Sequence, residues 1–146
     1  MLFGFDVLKK DIMQQFPGYQ VTADITDDAL DIAFGNDCGK PLLLHITDVM
    51  TLSFDCWRQN YSLTDDEYER LLWDMREVLE CLAYVVSVRI NGHLYITYLA
   101  RMEMRSADDF INDDPFERSG LYKTGAVIDC VYRDERRNKQ FVIEKG

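Results

Sequence analysis

The stretch YVVSVRINGHLYITYL, residues 84–99, decides the fold. It is the most apolar run in the chain, and its period is not helical. The β-branched run Val85-Val86-Ser87-Val88 followed by Asn91-Gly92 predicts two strands joined by a two-residue type I′ turn. In that register Ile90 opposes His93, Val88 opposes Tyr95 and Val86 opposes Thr97 on one face. Arg89 then opposes Leu94, Ser87 opposes Ile96 and Val85 opposes Tyr98 on the other. Neither face is purely polar. Such a hairpin belongs inside a sheet, with one face under a helix and the other covered by a loop, a second subunit or a partner.

Working outward, Thr64-Asp65-Asp66-Glu67 matches a capping box and Leu63 stands where a hydrophobic staple to Tyr68 belongs. A helix is expected over 65–83, with Tyr68, Leu71, Leu72, Met75, Leu79 and Leu82 as its apolar stripe. Asp66 and Arg70 form an i,i+4 pair on its wet side. Trp73 falls off the stripe. Near the N-terminus Phe5, Leu8, Ile12 and Phe16 recur at helical spacing until Pro17-Gly18, predicting a helix over 5–16. Between the helices, Tyr19 to Ile25 and Leu30 to Phe34 alternate around the turn Thr26-Asp27-Asp28. Leu42 to Ile46 and Met50 to Cys56 give two further strands. Residues 106–119 read as a loop with one helical turn, and a final hairpin runs from Ala126 to Tyr132 and back from Phe141 to Ile143. The expected fold class is α+β: a mostly antiparallel sheet of about six to eight strands with two principal helices, in one domain spanning 1–146.

Composition narrows the function. At 47% hydrophobic and 29% charged residues, the chain is that of a folded globule. Its net charge of −10 is uneven: residues 1–100 hold 16 acids and 7 bases, whereas residues 101–146 hold 10 acids and 9 bases. That field repels phosphate backbones and anionic membranes, so neither nucleic acid nor membrane is an expected partner. A cationic protein is attracted. Cys38, Cys56, Cys81 and Cys130 form no C-x-x-C pair, and with two histidines they give no zinc pattern, so no metal or other cofactor is expected. Three of them, Cys56, Cys81 and Cys130, sit among apolar neighbours as small hydrophobes. Neither a signal-peptide pattern nor a membrane-length apolar run occurs, and a reducing cytoplasm is the expected location.

Chemistry-bearing motifs are scarce. No phosphate-binding glycine loop and no G-x-S-x-G occurs. His45 and His93 lie in expected strands with no patterned partner, and structural or surface roles fit them best. The clusters Asp24, Asp27, Asp28, Asp31 and Asp108, Asp109, Asp113, Asp114, Glu117 do not fit an EF-hand; solvated turns or a partner-facing acid patch fit them better. Trp57, Tyr61, Trp73, Tyr84, Tyr95 and Tyr98 are many aromatics for one small domain and are candidate interface anchors or core.

In length, acidity and element pattern the chain resembles, as a class, the small immunity proteins that bacteria make against toxins, many of which block nucleases with basic active sites. The resemblance implies a non-enzymatic cytoplasmic binder that neutralises a basic protein. Asp27, Asp28, Asp31, Asp65, Asp66 and Glu69 would then face the partner, with Trp57 or Tyr61 as anchor. The order of elements is also similar to small acidic secretion chaperones, which dimerise and hold an extended segment of a secreted client; the strands expected at the C-terminus depart from that pattern. A third reading is an enzyme using His93 with Tyr95 or an aspartate. Its signature would be a concave pocket with a histidine nitrogen in hydrogen-bond reach of a carboxylate.

Overall fold

Alternation of buried and exposed residues from Val21 onward builds an antiparallel meander. In the computed structural model, which describes residues 4–35, 37, 39–111 and 125–143, it comprises β1 (Val21–Ile25), β2 (Leu30–Phe34), β3 (Leu42–Ile46), β4 (Val49–Phe54) and β5 (Trp57–Ser62). Leu30, Ile32, Phe34, Leu42, Leu44, Ile46, Met50, Leu52 and Phe54 all point to one face and are buried. Two helices cover that face. The first, α1 (Phe5–Gln15), buries Leu8 and Ile12; the second, α2 (Asp65–Leu79), buries Tyr68, Leu71, Met75 and Val78.

The fifth strand was not legible in the sequence. Asp55, at φ 53°, and Cys56 form a two-residue turn, and Phe54 pairs with Trp57 across it. Aspartate tolerates the left-handed region through its short polar side chain, so this turn needs no glycine. The consequence corrects an expectation. Trp57 and Tyr61, proposed as exposed anchors, alternate inward on β5 and are 7% and 0% exposed. They are core.

Helix α2 begins where the capping box predicts, with the Thr64 hydroxyl accepting from the Glu67 amide at 3.3 Å. It stops earlier than expected. Its last helical residue is Leu79, and Cys81 turns the chain at φ 59°. Leu82 therefore leaves the stripe and is 56% exposed. Arg70 pairs with Glu67 at 3.6 Å rather than with Asp66.

The chain then enters a second antiparallel sheet, ordered β7-β6-β8-β9, from β6 (Tyr84–Ile90), β7 (His93–Ala100), β8 (Ala126–Val131) and β9 (Lys139–Ile143). The Asn91-Gly92 turn forms as expected, with φ 54° and 81°. Only the first two expected pairs, Ile90 with His93 and Arg89 with Leu94, survive. A bulge then shifts the register, so that Val88 faces Ile96, Ser87 faces Thr97 and Val86 faces Tyr98. One inserted residue flips every later side chain, and here it sorts them by polarity. Val86, Val88, Ile96 and Tyr98 join Ile128, Cys130 and Met104 in a second apolar cluster, while Val85 and Leu99 pack on the first. The α+β class with two principal helices is as expected; the described strands number nine and divide between two sheets. A short helix α3 (Ala107–Ile111) supplies the expected helical turn in the long loop, whose acids Asp113, Asp114 and Glu117 lie outside the described residues. No helix among the described residues is long and apolar enough to cross a membrane.

A buried ionic group ties the two sheets together. Asp74 of α2 is 6% exposed, accepts from the Tyr61 hydroxyl at 2.5 Å and from Arg101 at 2.6 Å, and Arg101 also donates to Glu77 at 2.9 Å. Burial, then the hydrogen bond to Asp74, pushes the Tyr61 hydroxyl well above its ordinary range, so it stays a donor. Removing one partner leaves polar groups stranded, so Asp74→Ala should cost about 2–4 kcal/mol in urea unfolding. The Tyr61→Phe/Asp74→Ala double variant should lose clearly less than the sum of the two singles; additive losses would mean the pair is not coupled. At Cys130, burial pushes the thiol up to about 12. Timed iodoacetamide labelling read by mass spectrometry should therefore modify half-buried Cys56 and Cys81 well before Cys130, and equal rates would contradict the packing.

Candidate functional site

Strand parity gathers the acids. In an antiparallel meander every second connection returns to the same end, so the β1–β2 turn, the β3–β4 turn and the β5–α2 joint share one end, here the upper end. The β1–β2 turn carries Asp27 and Asp28, flanked by Asp24 and Asp31 as a directly paired cross-strand couple. Asp48 lies in the β3–β4 turn. The joint and the first turns of α2 bring Asp65, Asp66, Glu67 and Glu69. All but Glu67 are exposed, and the segments 26–29, 47–48 and 62–67 contain no lysine or arginine. Lys9 and Lys10 of α1 and Arg70 of α2 lie outside them.

Some carboxylates elsewhere meet cations, whereas Asp6, Asp37, Glu80, Asp108 and Glu135 have none among the described residues. Asp55 is bonded to Lys40, Asp74 and Glu77 to Arg101, Asp129 to Arg89, Asp134 to Arg136, and Glu103 to Lys139. At Asp55 burial acts to raise the pKa, but the hydrogen bonds from Lys40 and the Cys56 amide outweigh it and hold the carboxyl below its usual range. At the upper end, by contrast, Asp24, Asp27, Asp28, Asp48, Asp65, Asp66 and Glu69 have no cation partner among the described residues. Turn formation does not account for Asp27 and Asp28. Their turn is closed by the Thr26 amide to the Ala29 carbonyl at 2.9 Å and by the Thr26 hydroxyl, which accepts from the Ala29 amide at 3.1 Å. The α2 acids do have a local role, since they face the positive end of the helix dipole.

Of the expected partner-facing residues, the structure brings Asp27, Asp28, Asp31, Asp65, Asp66 and Glu69 to this end, and leaves Trp57 and Tyr61 in the core. Asp48 joins them. Its signal was available in the sequence, because a Thr-Asp turn one hairpin beyond Asp27-Asp28 must fall on the same side of the sheet. Of the remaining aromatics, Trp73 is 60% and Tyr95 47% exposed, whereas Tyr84 is buried.

The enzyme signature appears at a different histidine from the one expected. His93 sits exposed at the β6–β7 tip, and its side chain makes no hydrogen bond among the described residues. His45 Nδ1 lies 2.5 Å from Asp31 Oδ1, within hydrogen-bond reach. The pair lines a shallow depression of about 520 Å³ over the outer face of the first sheet. Both side chains are 52% exposed, and the cross-strand neighbour Thr51 donates its hydroxyl to Asn60 at 2.8 Å. An oriented imidazole is present, but among the described residues no hydroxyl or thiol is directed at it and nothing encloses it. General-base chemistry needs a positioned nucleophile or water. What the pair does here is satisfy one carboxylate of the acidic end. Among the described residues no group of three or more His, Cys, Asp and Glu side chains is arranged to hold a metal ion.

Like charges directly opposite each other cost stability, and Asp24, itself without a cation partner among the described residues, faces Asp31 across the β1–β2 pair. Asp24→Asn should stabilise the protein by about 0.2–1 kcal/mol in urea unfolding at low salt, and the gain should shrink as salt is added. A destabilised variant would show that Asp24 is bonded within the fold. Comparison of the chain with protein-family models, with curated proteins and with solved structures returned no match.

Proposed function

We propose that the protein is a binding protein that neutralises a basic protein by docking its acidic end onto that partner's cationic surface. The observation that carries this reading is the grouping of Asp27, Asp28, Asp48, Asp65, Asp66 and Glu69, none with a cation partner among the described residues, at one end of the first sheet. A surface of one sign raises the encounter rate with an oppositely charged partner and rejects anionic competitors. The partner class with the most concentrated positive charge at its working surface is a nuclease, whose substrate groove must attract phosphate. An immunity-type inhibitor of a bacterial toxin, made in the same cytoplasm, fits that chemistry. The rim is built on turns and a helix terminus held by a packed sheet, so docking needs little reordering of the inhibitor.

The experiment is co-purification and kinetics with the basic products of genes beside this one, using wild type and the quadruple variant Asp27→Asn, Asp28→Asn, Asp65→Asn, Asp66→Asn. Expected is one folded partner at fixed stoichiometry, an association rate that falls about tenfold or more in the variant at low salt, and convergence of the two proteins at high salt. Relief of the partner's toxicity on co-expression should weaken in parallel. Binding that ignores both salt and the four substitutions would overturn the reading. Capture of a client only while it is unfolded would replace an inhibitor with a chaperone.

A further inference from the structure

Trp73 is the largest side chain the fold leaves in solvent, and it does not stand alone. It borders a groove of about 560 Å³ with β5 on one side, β7 on the other and α2 at the rim. β5 is the last strand of the first sheet and β7 the last of the second. Both line the groove, Cys56 of the turn before β5 touches Thr97 of β7 at 3.6 Å, and no backbone hydrogen bond joins the two strands among the described residues. Two strand edges therefore present peptide groups toward one channel. For β5 the phase follows from its turn: a two-residue hairpin makes Phe54 and Trp57 the hydrogen-bonded pair, so Arg58 aims its N–H and C=O groups outward, as does Asn60, whose carbonyl accepts from the Gln59 side chain at 3.2 Å.

The charge of the groove is opposite to that of the chain. Its lining holds Arg58, Arg70 and Arg101 against the single carboxylate of Asp74, in a protein of net charge −10. Asp74 is already consumed by Tyr61 and Arg101, and Arg101 is held in turn by Glu77. Arg58 has no ion-pair or hydrogen-bond partner among the described residues, and the Arg70 side chain is 61% exposed, with a loose contact to Glu67 at 3.6 Å and its guanidinium 6.0 Å from the Tyr61 ring centroid. Tryptophan beside arginine is the composition of an interface anchor point, since both gain much when water is excluded.

We infer that this groove is a second docking site, independent of the acidic end, for an extended segment of a partner protein that carries aspartate or glutamate beside an aromatic or large aliphatic residue. The strand edges bond the segment's backbone, Trp73 packs its apolar side chain, and the guanidinium groups of Arg58 and Arg70 take its carboxylates.

The test is selection from a library of random linear peptides displayed on phage, followed by affinity measurement with synthetic winners. Expected are peptides enriched in Asp and Glu flanking an aromatic residue. Trp73→Ala should weaken them by about tenfold or more, Trp73→Phe should recover part of the loss, and Arg58→Glu/Arg70→Glu should turn the selected charge to Lys and Arg. Trp73 is exposed, so its variants should keep the wild-type unfolding midpoint, which separates lost binding from lost fold. The quadruple Asp→Asn variant of the acidic end should bind the peptides as wild type does, so failure of one site is distinguishable from failure of the other. Selection of basic peptides, winners indifferent to Trp73, or displacement of the winners by a single-stranded oligonucleotide would each overturn the inference.

Discussion

One carboxylate fixes the geometry on which both surfaces depend. A charge as buried as Asp74 survives only where several donors replace its lost water, and those donors come from Tyr61 on β5 and from Arg101 just beyond β7. Three chain segments far apart in sequence are thereby locked together. Helix α2 cannot slide along the first sheet without breaking the Tyr61 bond, so its acidic first turns stay level with the β1–β2 and β3–β4 turns. The β7 strand cannot drift from β5 without losing Arg101, so the channel between their edges keeps its width. Apolar packing alone would not set that register, because Leu71, Met75 and Val78 would find apolar contacts at more than one position along the sheet.

A second tie acts at the opposite end. The Arg133 guanidinium donates to the Gly35 carbonyl at 2.5 Å and stacks over the Tyr19 ring, 5.4 Å from its centroid. Burial lowers the pKa of Arg133, but from so high a starting value that the cation and its donors remain. This places the basic β8–β9 hairpin, with Arg133, Arg136, Arg137 and Lys139, by the lower end of the first sheet, away from the carboxylates. The bases of this hairpin thus stand apart from the carboxylates of the upper end, although Asp134 and Glu135 lie among them.

Much of this was legible, and the illegible parts have identifiable causes. Asn91-Gly92 and the Thr64–Glu67 cap were readable because each element carries its own chemistry in consecutive residues. The β7 bulge was not, since nothing in HLYITYLA marks one residue as extra; only the polarity of the strand that β6 presents decides it. The costliest omission was β5. Its turn uses Asp55-Cys56 rather than a glycine pair, and its inward positions Trp57, Gln59 and Tyr61 include a polar residue that blurs the alternation. Parity then matters more than the strand itself. With four strands in the meander, α2 would begin at the lower end and Asp65 and Asp66 would sit opposite Asp27 and Asp28; a fifth strand turns them to the same side. That these acids share a surface could not follow from their sequence positions while β5 was unread.

The acidic end can be separated from ordinary surface acidity by asking what each carboxylate does for the fold. Asp65, Asp66 and Glu67 stabilise α2 through its dipole, and a helix would keep them for that reason alone. Asp31 is held by His45. Asp27 and Asp28 are different: Thr26 closes their turn without them, no cation approaches them among the described residues, and Asp24 and Asp31 just below add repulsion. Asparagine or serine would serve that turn equally well and remove the strain. Solubility does not require them either, since a net charge of −8 would already lie at the edge of the range that keeps a small domain dispersed. Two aspartates that the turn does not need thus stand at the same end of the sheet as the helix-terminal acids that α2 uses. The proposed function therefore rests on Asp27 and Asp28 more than on any other pair.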